Sequence, residues 1–154
     1  MQSTDNRAFS MQELLPLIEE VISGGGEFTF WPRGTSMRPM LREGKDRVVL
    51  VAPQAPRKHA VYLYRRASGQ FVLHRLMHVE RDGTLTFCGD NQLVLEHGIK
   101  SDACIAEVTA YYRGKKRIQM TAWRQRLYAA LYGFWPYRWL RYLPRRILRR
   151  LLRK

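Results

Sequence analysis

The sequence predicts a mainly β protein with a short helix before its sheet and amphipathic helices after it. The prediction depends on a series of short apolar or alternating segments of strand length, separated by turn signals. At 154 residues the chain is long enough for one hydrophobic core and too short for two ordinary domains. Short strands at this spacing favour an antiparallel sheet or a partly closed barrel.

The predicted N-terminal helix covers residues 11–23. Ser10 suits the N-cap position, and Glu13 three residues later completes a capping box. Apolar residues then recur at helical spacing, namely Met11, Leu14, Leu15, Leu17, Ile18, Val21 and Ile22. Three consecutive glycines at 24–26 end the helix.

Seven later segments have the length and the apolar or alternating character of strands. They are 27–31, 47–52, 60–65, 70–79, 84–88, 105–112 and 118–120. Turns at 67–69 and 81–83, each ending in glycine, predict that the third, fourth and fifth segments form consecutive hairpins. We therefore predict an N-terminal helix and glycine linker at 1–26, a β domain at 27–120, and basic amphipathic helices at 121–154.

The net charge of +14 is carried by the C-terminal part of the chain. Up to Glu107 there are 13 Lys+Arg and 13 Asp+Glu, whereas 14 Lys+Arg and no acid follow from Val108. From Trp123 onward apolar residues recur at helical spacing among the arginines. Pro136 and Pro144 are expected to divide this basic tail into two or three helical pieces.

A helix with arginines on one face and Trp and Leu on the other is typical of the interface of an anionic bilayer. The candidate membrane-contact residues are Trp123, Trp135, Trp139, Arg145, Arg149 and Leu151. Packing against the domain or a partner is a second interpretation. Binding to nucleic acid is the least favoured, because phosphate contacts do not require a wide apolar stripe.

The N-terminal residues 1–20 are polar and lack the basic start and apolar run of a secretory signal. Nowhere do about 18 apolar residues run together, so no transmembrane helix is expected. We expect a protein that associates peripherally with a membrane and is otherwise cytoplasmic, with the side of the membrane left open.

Cys88 and Cys104 provide neither a disulfide framework nor the spacing of a metal site, and whether they pair is left open. The strand-like surroundings of Cys88 predict a small buried side chain. No histidine lies at ligand spacing from either cysteine, so we predict neither a metal nor another cofactor.

The segment 32–41 (PRGTSMRPML) puts a serine in a turn directly after a predicted strand. A nucleophilic serine must protrude from a rigid turn, with backbone N–H groups beside it that can bind an oxyanion. Ser36 lies between Gly34 and Pro39, and a Ser-Met-Arg-Pro segment can supply such a turn. An ordinary turn serine has the same kind of neighbours, so the later segments decide between the two interpretations.

Those later segments match a known family in order and approximate spacing. The matching elements are Ser36-Met37-Arg38-Pro39-Met40-Leu41, Gly44 with Val48 and Val49, His74-Arg75, and Gly89-Asp90-Asn91. This series resembles the sequence boxes of type I signal peptidases over roughly residues 30–112. The resemblance implies the antiparallel fold of signal peptidases and LexA-type peptidases. It also implies cleavage of a peptide or protein precursor after small residues in a leader or signal peptide.

The resemblance implies that Ser36 is the nucleophile, His74 the general base and Asp90 the supporting acid. Bacterial enzymes of this family have lysine at the position of His74, whereas the endoplasmic-reticulum and archaeal enzymes have histidine. A neutral imidazole can accept the serine proton near neutral pH, and a carboxylate can orient it. Family members often have a second acid after the Gly-Asp-Asn turn, and Glu96 and Asp102 are both candidates here.

One position departs from the family. Gly34 stands where many members have a serine whose hydroxyl helps to bind the oxyanion. The oxyanion hole would then depend on the backbone N–H of Ser36, with the Thr35 hydroxyl as a further candidate donor. Loss of one such donor costs about two to three orders of magnitude in rate.

We therefore predict a serine endopeptidase. A self-cleaving repressor of the LexA type fits less well, since those proteins use lysine as the base and carry DNA-binding helices for which residues 1–30 are too few. A non-enzymatic alternative is a catalytically degenerate protein of the same fold that acts as a basic membrane- or partner-binding module. Gly34 keeps this alternative open.

Overall fold

The computed structural model describes residues 10–133, which form one eight-stranded sheet and two helices. The elements in chain order are α1 (Met11–Ser23), β1 (Phe28–Phe30), β2 (Asp46–Val51), β3 (Val61–Arg65), β4 (Phe71–Val79), β5 (Leu85–Cys88), β6 (Glu96–Ile99), β7 (Cys104–Arg113), β8 (Lys116–Gln119) and α2 (Trp123–Gly133). A single turn of 3₁₀ helix at Ser101–Ala103 precedes β7.

The strands are antiparallel and follow the order β1-β2-β7-β3-β4-β5-β6, with β8 paired to β7. β7 has ten residues and organises the sheet, because it pairs with β2 on one edge and with two strands on the other. On that second edge β3 pairs with its first half and β8 with its second half. The hairpins β3–β4 and β4–β5 follow the turns predicted from their glycines.

The predicted mainly β, antiparallel architecture is confirmed, but the partly closed barrel is wrong. Within residues 10–133 the sheet is not closed, since β1 and β6 lie at opposite ends of the strand order. These end strands have only three and four residues. Closure would require hydrogen bonds between β1 and β6, and no pairing joins these two strands among residues 10–133.

The sequence interpretation missed β6. Its residues Glu-His-Gly-Ile lack the β-branched or aromatic run that identifies a strand, and Gly98 adopts a φ of 72°. The strand forms because it pairs with β5, with Leu85 opposite Ile99 and Phe87 opposite Glu96. This omission matters for the site, because β6 carries Glu96.

Helix α1 begins with the predicted capping box. The Glu13 N–H donates to Ser10 Oγ, and the Glu13 carboxylate accepts from the Ser10 N–H at 2.7 Å. The apolar face of the helix packs on the sheet, where Ile18 and Ile22 join Val48 and Leu50 in the main core. Cys88 is buried as predicted, and both cysteines are free thiols.

Replacement of two adjacent α1 residues tests this packing. Ile18 is fully buried, so Ile18→Ala should lower the free energy of unfolding by about 2–5 kcal/mol through lost burial and a residual cavity. The neighbouring Leu17 is 48% exposed, so Leu17→Ala should change it by less than about 0.5 kcal/mol. Urea denaturation measures both values, and equal effects would contradict the packing of α1 on the sheet.

Candidate active site

Ser36 lies in the long connection between β1 and β2, at the position predicted for it. Gly34 has a φ of 92°, a left-handed conformation that favours glycine, and its N–H donates to Glu43 Oε1 at 2.8 Å. Ser36 is half-buried, whereas Gly34 and Thr35 are exposed. The turn is therefore held by the backbone geometry at Gly34 and by Met37 and Met40, which are buried in the main core.

A second turn, at 89–91, contacts the turn that carries Ser36. The Asn91 N–H donates to the carbonyl oxygen of Ser36 at 2.6 Å. A Cβ atom on Gly89 would lie 2.8 Å from that same oxygen and 3.0 Å from His74 Nε2. Because real Cβ atoms do not approach so closely, only glycine fits between the serine turn and the histidine.

His74 lies in the middle of β4, where Tyr62 of β3 is its partner in the sheet. The side chain is 2% exposed. Its Nδ1 atom lies 3.2 Å from Glu96 Oε1 and 3.2 Å from the hydroxyl of Tyr64. The Tyr64 hydroxyl donates its own proton to Glu96 Oε2 at 3.0 Å, so both neighbours of Nδ1 present acceptors.

This arrangement assigns the proton of neutral His74 to Nδ1 and leaves Nε2 as the unprotonated nitrogen. Nε2 is the atom that faces Gly89 and the carbonyl side of the Ser36 turn. Ser36 and His74 line one cavity of about 340 Å³, together with Phe71, Leu73 and Gln92. Among residues 10–133 no hydrogen bond joins the Ser36 hydroxyl to the imidazole.

Glu96 is the carboxylate closest to the imidazole of His74. Arg66 forms an ion pair with it, with Nε donating to Oε2 at 2.7 Å. Burial raises the pKa of the Glu96 carboxyl, but the hydrogen bonds from Arg66 and Tyr64 outweigh it and the pKa lies below its ordinary value. Glu96 is therefore a carboxylate at neutral pH.

The pKa of His74 is lowered from 6.5 to about 4, chiefly by burial and to a smaller extent by the nearby Arg66 guanidinium. The carboxylates of Glu96 and Asp90 act in the opposite direction and stabilise the protonated form. At neutral pH the imidazole is therefore uncharged, as a proton acceptor must be.

Asp90, the first choice for the acid, has other partners. Its carboxylate accepts two hydrogen bonds of 2.8 Å from the guanidinium of Arg75 and a third, of 3.0 Å, from the hydroxyl of Tyr128. Both members of the Asp90–Arg75 pair are almost fully buried. Within the described part of the chain no hydrogen bond joins Asp90 to His74, so Asp90 reaches the imidazole only through space.

Of the other candidate residues, Gly34 and Thr35 line the cavity with Ser36 and His74, whereas Asp102 does not. Asp102 is exposed in the 3₁₀ turn before β7 and does not line the cavity. The Gly34 N–H is already bound to Glu43, so it is not free to bind an oxyanion. In residues 10–133 the backbone N–H of Ser36 has no acceptor, which leaves it available for that role. The exposed Thr35 hydroxyl lies in the same turn.

Trp123, the first of the candidate membrane-contact residues, begins α2 and is 68% exposed. Leu127 and Leu131 follow it at intervals of four residues and are also exposed, so they form one stripe on the helix. The opposite face, with Ala129 and Tyr132, is buried. The remaining candidates lie outside the described residues: Trp135, Trp139, Arg145, Arg149 and Leu151.

The sequence interpretation missed Tyr64 and Arg66 as partners of the site. Both belong to the β3–β4 hairpin, and Tyr64 also stacks on Phe87 with ring centroids 4.4 Å apart. The available signal was the register of that hairpin, because the turn at 67–69 sets Tyr62 opposite His74 and Tyr64 opposite Val72, on the same face of the sheet. Because strand β6 was not predicted, there was no basis in the sequence for placing Glu96 beside any other residue.

Comparisons with models of protein families, with curated proteins and with solved structures found no match. Within residues 10–133 no group of three or more His, Cys, Asp or Glu side chains is arranged to hold a metal ion. No helix in the same range is both long enough and apolar enough to cross a membrane.

The lowered pKa of His74 has a measurable effect on stability. Between pH 6.5 and about 4, His74 is protonated in the unfolded chain but neutral in the folded protein. The free energy of unfolding is therefore highest above this range and decreases as pH falls through it. From pH 7 to pH 4.5 the wild-type protein should lose about 2 kcal/mol more than a His74→Gln variant. Urea denaturation at the two pH values measures the difference, and parallel losses would contradict a buried neutral histidine.

Proposed function

We propose that this protein is a serine endopeptidase of the type I signal peptidase kind, with Ser36 as nucleophile and His74 as general base. The observation that carries the proposal is the orientation of the imidazole. Its Nδ1 lies against the Glu96 carboxylate and its Nε2 faces the turn that holds Ser36. A base of this type needs one nitrogen fixed by an acceptor and the other directed at the nucleophile.

The reaction would proceed through an acyl-enzyme. Ser36 Oγ attacks the carbonyl carbon of the scissile peptide bond while His74 Nε2 accepts the hydroxyl proton. Glu96 stabilises the imidazolium that forms, and the Ser36 N–H stabilises the oxyanion. His74 then protonates the leaving amine, and a water molecule, deprotonated by the same nitrogen, hydrolyses the ester.

Glu96, and not Asp90, takes the part of the orienting acid in this proposal. Its Oε1 lies 3.2 Å from Nδ1, whereas Asp90 is bound by Arg75 and Tyr128. Without Glu96 the already low pKa of His74 would fall further, because its charge is the largest influence that favours the protonated imidazole. A base with a lower pKa is a weaker proton acceptor, so Glu96 matters to the rate as well as to orientation.

The substrate class proposed is a peptide or protein precursor with small residues before the scissile bond. The preference for small residues follows from the resemblance to signal peptidases. The walls of the cavity are formed by the 32–37 turn and by the start of β4, and its volume is about 340 Å³. A cavity of this size has room for a short extended peptide segment.

Labelling with a fluorophosphonate tests the nucleophile and the base. The wild-type protein should form one covalent adduct on Ser36, and Ser36→Ala should abolish it. His74→Ala should slow labelling by about 10²- to 10⁴-fold, since the serine proton then lacks an acceptor. Intact-protein and peptide mass spectrometry identify the adduct, and labelling that survives Ser36→Ala would sink the mechanism.

A pair of isosteric variants tests the identity of the acid. Glu96→Gln should slow labelling by at least about tenfold, because the imidazolium loses its carboxylate partner. Asp102→Asn is the matched control, since this exposed acid lies away from the cavity, and it should label at the wild-type rate. Equal rates for both variants would remove Glu96 from the mechanism.

A second candidate function is that of a module that binds an anionic membrane surface, with or without peptidase activity. The exposed stripe of Trp123, Leu127 and Leu131 favours it, together with the exposed Arg124 and Arg126 on the same helix. The basic, acid-free sequence from Val108 onward has the charge that complements anionic lipids. In the peptidase proposal this surface would hold the enzyme peripherally at the membrane.

Co-sedimentation with vesicles containing phosphatidylglycerol tests the stripe. The combined change Trp123→Ala, Leu127→Ala and Leu131→Ala should weaken binding by at least about tenfold, because the inserted apolar area is lost. The full chain is used, so that the remaining basic residues are present in every sample.

The control is a combined change of the same chemistry on the β domain, Trp31→Ala, Val79→Ala and Val94→Ala. These residues are 50–75% exposed, so the control removes comparable apolar surface away from α2. It should bind the vesicles as the wild-type protein does. Equal losses in the two variants would contradict a membrane surface on α2.

A further inference from the structure

Helix α2 contacts the buried Asp90–Arg75 pair through the side chain of Tyr128. Tyr128 is half-buried, and its hydroxyl donates to Asp90 Oδ2 at 3.0 Å. The ring also lies against the guanidinium of Arg75, whose central carbon is 5.5 Å from the ring centroid. Tyr128 therefore contacts both members of the buried ion pair.

A short chain of contacts leads from Tyr128 to the nucleophile. Asp90 is the central residue of the 89–91 turn, and its carboxylate is held between Arg75 and Tyr128. On one side of it the Asn91 N–H donates to the carbonyl oxygen of Ser36 at 2.6 Å. On the other side Gly89 lies against His74 Nε2. A movement of Asp90 would therefore move Asn91, which contacts Ser36, and Gly89, which contacts His74.

We propose that Tyr128 is a positioning residue of the active site, which fixes the 89–91 turn through Asp90 and thereby sets Ser36 relative to His74. This inference rests on the proposed peptidase function and adds α2 to the parts of the chain that the site requires. The same helix carries the exposed Trp123–Leu127–Leu131 stripe on its outer face.

Arg75 alone does not fix the turn in the same way. Its two hydrogen bonds to Asp90 come from Nε and Nη2, so they approach the two carboxylate oxygens from one side. Tyr128 adds a donor to Oδ2 from a different element. Burial raises the pKa of the Tyr128 hydroxyl, so this group stays protonated and donates throughout the physiological range.

Other contacts hold α2 on the domain independently of Asp90. Gln125 Nε2 donates to the hydroxyl of Tyr111 at 3.0 Å. His59 Nδ1 lies 3.0 Å from the carbonyl oxygen of Ala129, and burial lowers the pKa of this histidine, so it is a neutral donor. Loss of the Tyr128 hydroxyl alone therefore leaves the helix docked.

Tyr128→Phe tests the proposal, because it removes the hydroxyl and retains the ring that packs on Arg75. Fluorophosphonate labelling should show a maximal rate about tenfold below wild type, with an unchanged half-saturating probe concentration. Gln125→Ala is the matched control, since it removes one hydrogen bond between α2 and the domain without touching Asp90. It should label at the wild-type rate, with a melting temperature close to that of Tyr128→Phe.

A wild-type rate for Tyr128→Phe would overturn the proposal, and so would equal slowing in both variants, which indicates general loosening of α2. Hydrogen exchange at the Asn91 amide provides a readout that needs no enzymatic activity. The exchange rate should rise about tenfold in Tyr128→Phe and stay unchanged in Gln125→Ala. If wild-type Ser36 takes no label while Asn91 exchange responds in this way, the proposed function fails and the positioning contact stands.

Discussion

The candidate site depends on one constraint, the burial of His74 between the side chains of Glu96 and Tyr64 and the backbone of Gly89. Its Nδ1 lies against Glu96 and Tyr64, and its Nε2 faces Gly89, where no Cβ fits. The sheet supplies this arrangement, because β4 is central to the β3–β4–β5 region and β6 brings Glu96 from the far side of β5. The cost is a pKa near 4, which keeps the imidazole neutral but weakens it as a base.

Two acids, Glu96 and Asp90, lie near this histidine, and each has a different arginine partner. Glu96 pairs with Arg66, which lines the cavity, and contacts the imidazole directly. Asp90 pairs with Arg75 in the interior, where removal of either partner would leave an uncompensated buried charge. In the proposed mechanism Glu96 therefore tunes the base, whereas Asp90 holds the backbone turn that contacts Ser36. Both side chains are carboxylates, so the difference between their proposed roles comes from the residues that each one contacts.

Local sequence signals predicted most of the sheet and helix α1, because the capping box, the apolar runs and the glycine turns act over a few residues. They failed at β6, where pairing with β5 outweighs the weak strand preference of Glu-His-Gly-Ile. They also ranked Asp90 above Glu96, since a motif identifies a residue type and an order but not which carboxylate reaches an imidazole. The contacts of Tyr64 and Arg66 with Glu96, and of Tyr128 with Asp90, depend on the packing of separate elements, and no local pattern contains them.

The tautomer of His74 is the most direct test of the central claim, and ¹⁵N-resolved NMR of the imidazole measures it. The proposed site requires neutral His74 at pH 7 to carry its proton on Nδ1, with a hydrogen-bonded N–H signal that depends on Glu96. Nε2 should have the chemical shift of an unprotonated nitrogen, and the ring should titrate with a midpoint near pH 4. A proton on Nε2 at pH 7, or a charged ring, would contradict the assignment of His74 as the base for Ser36.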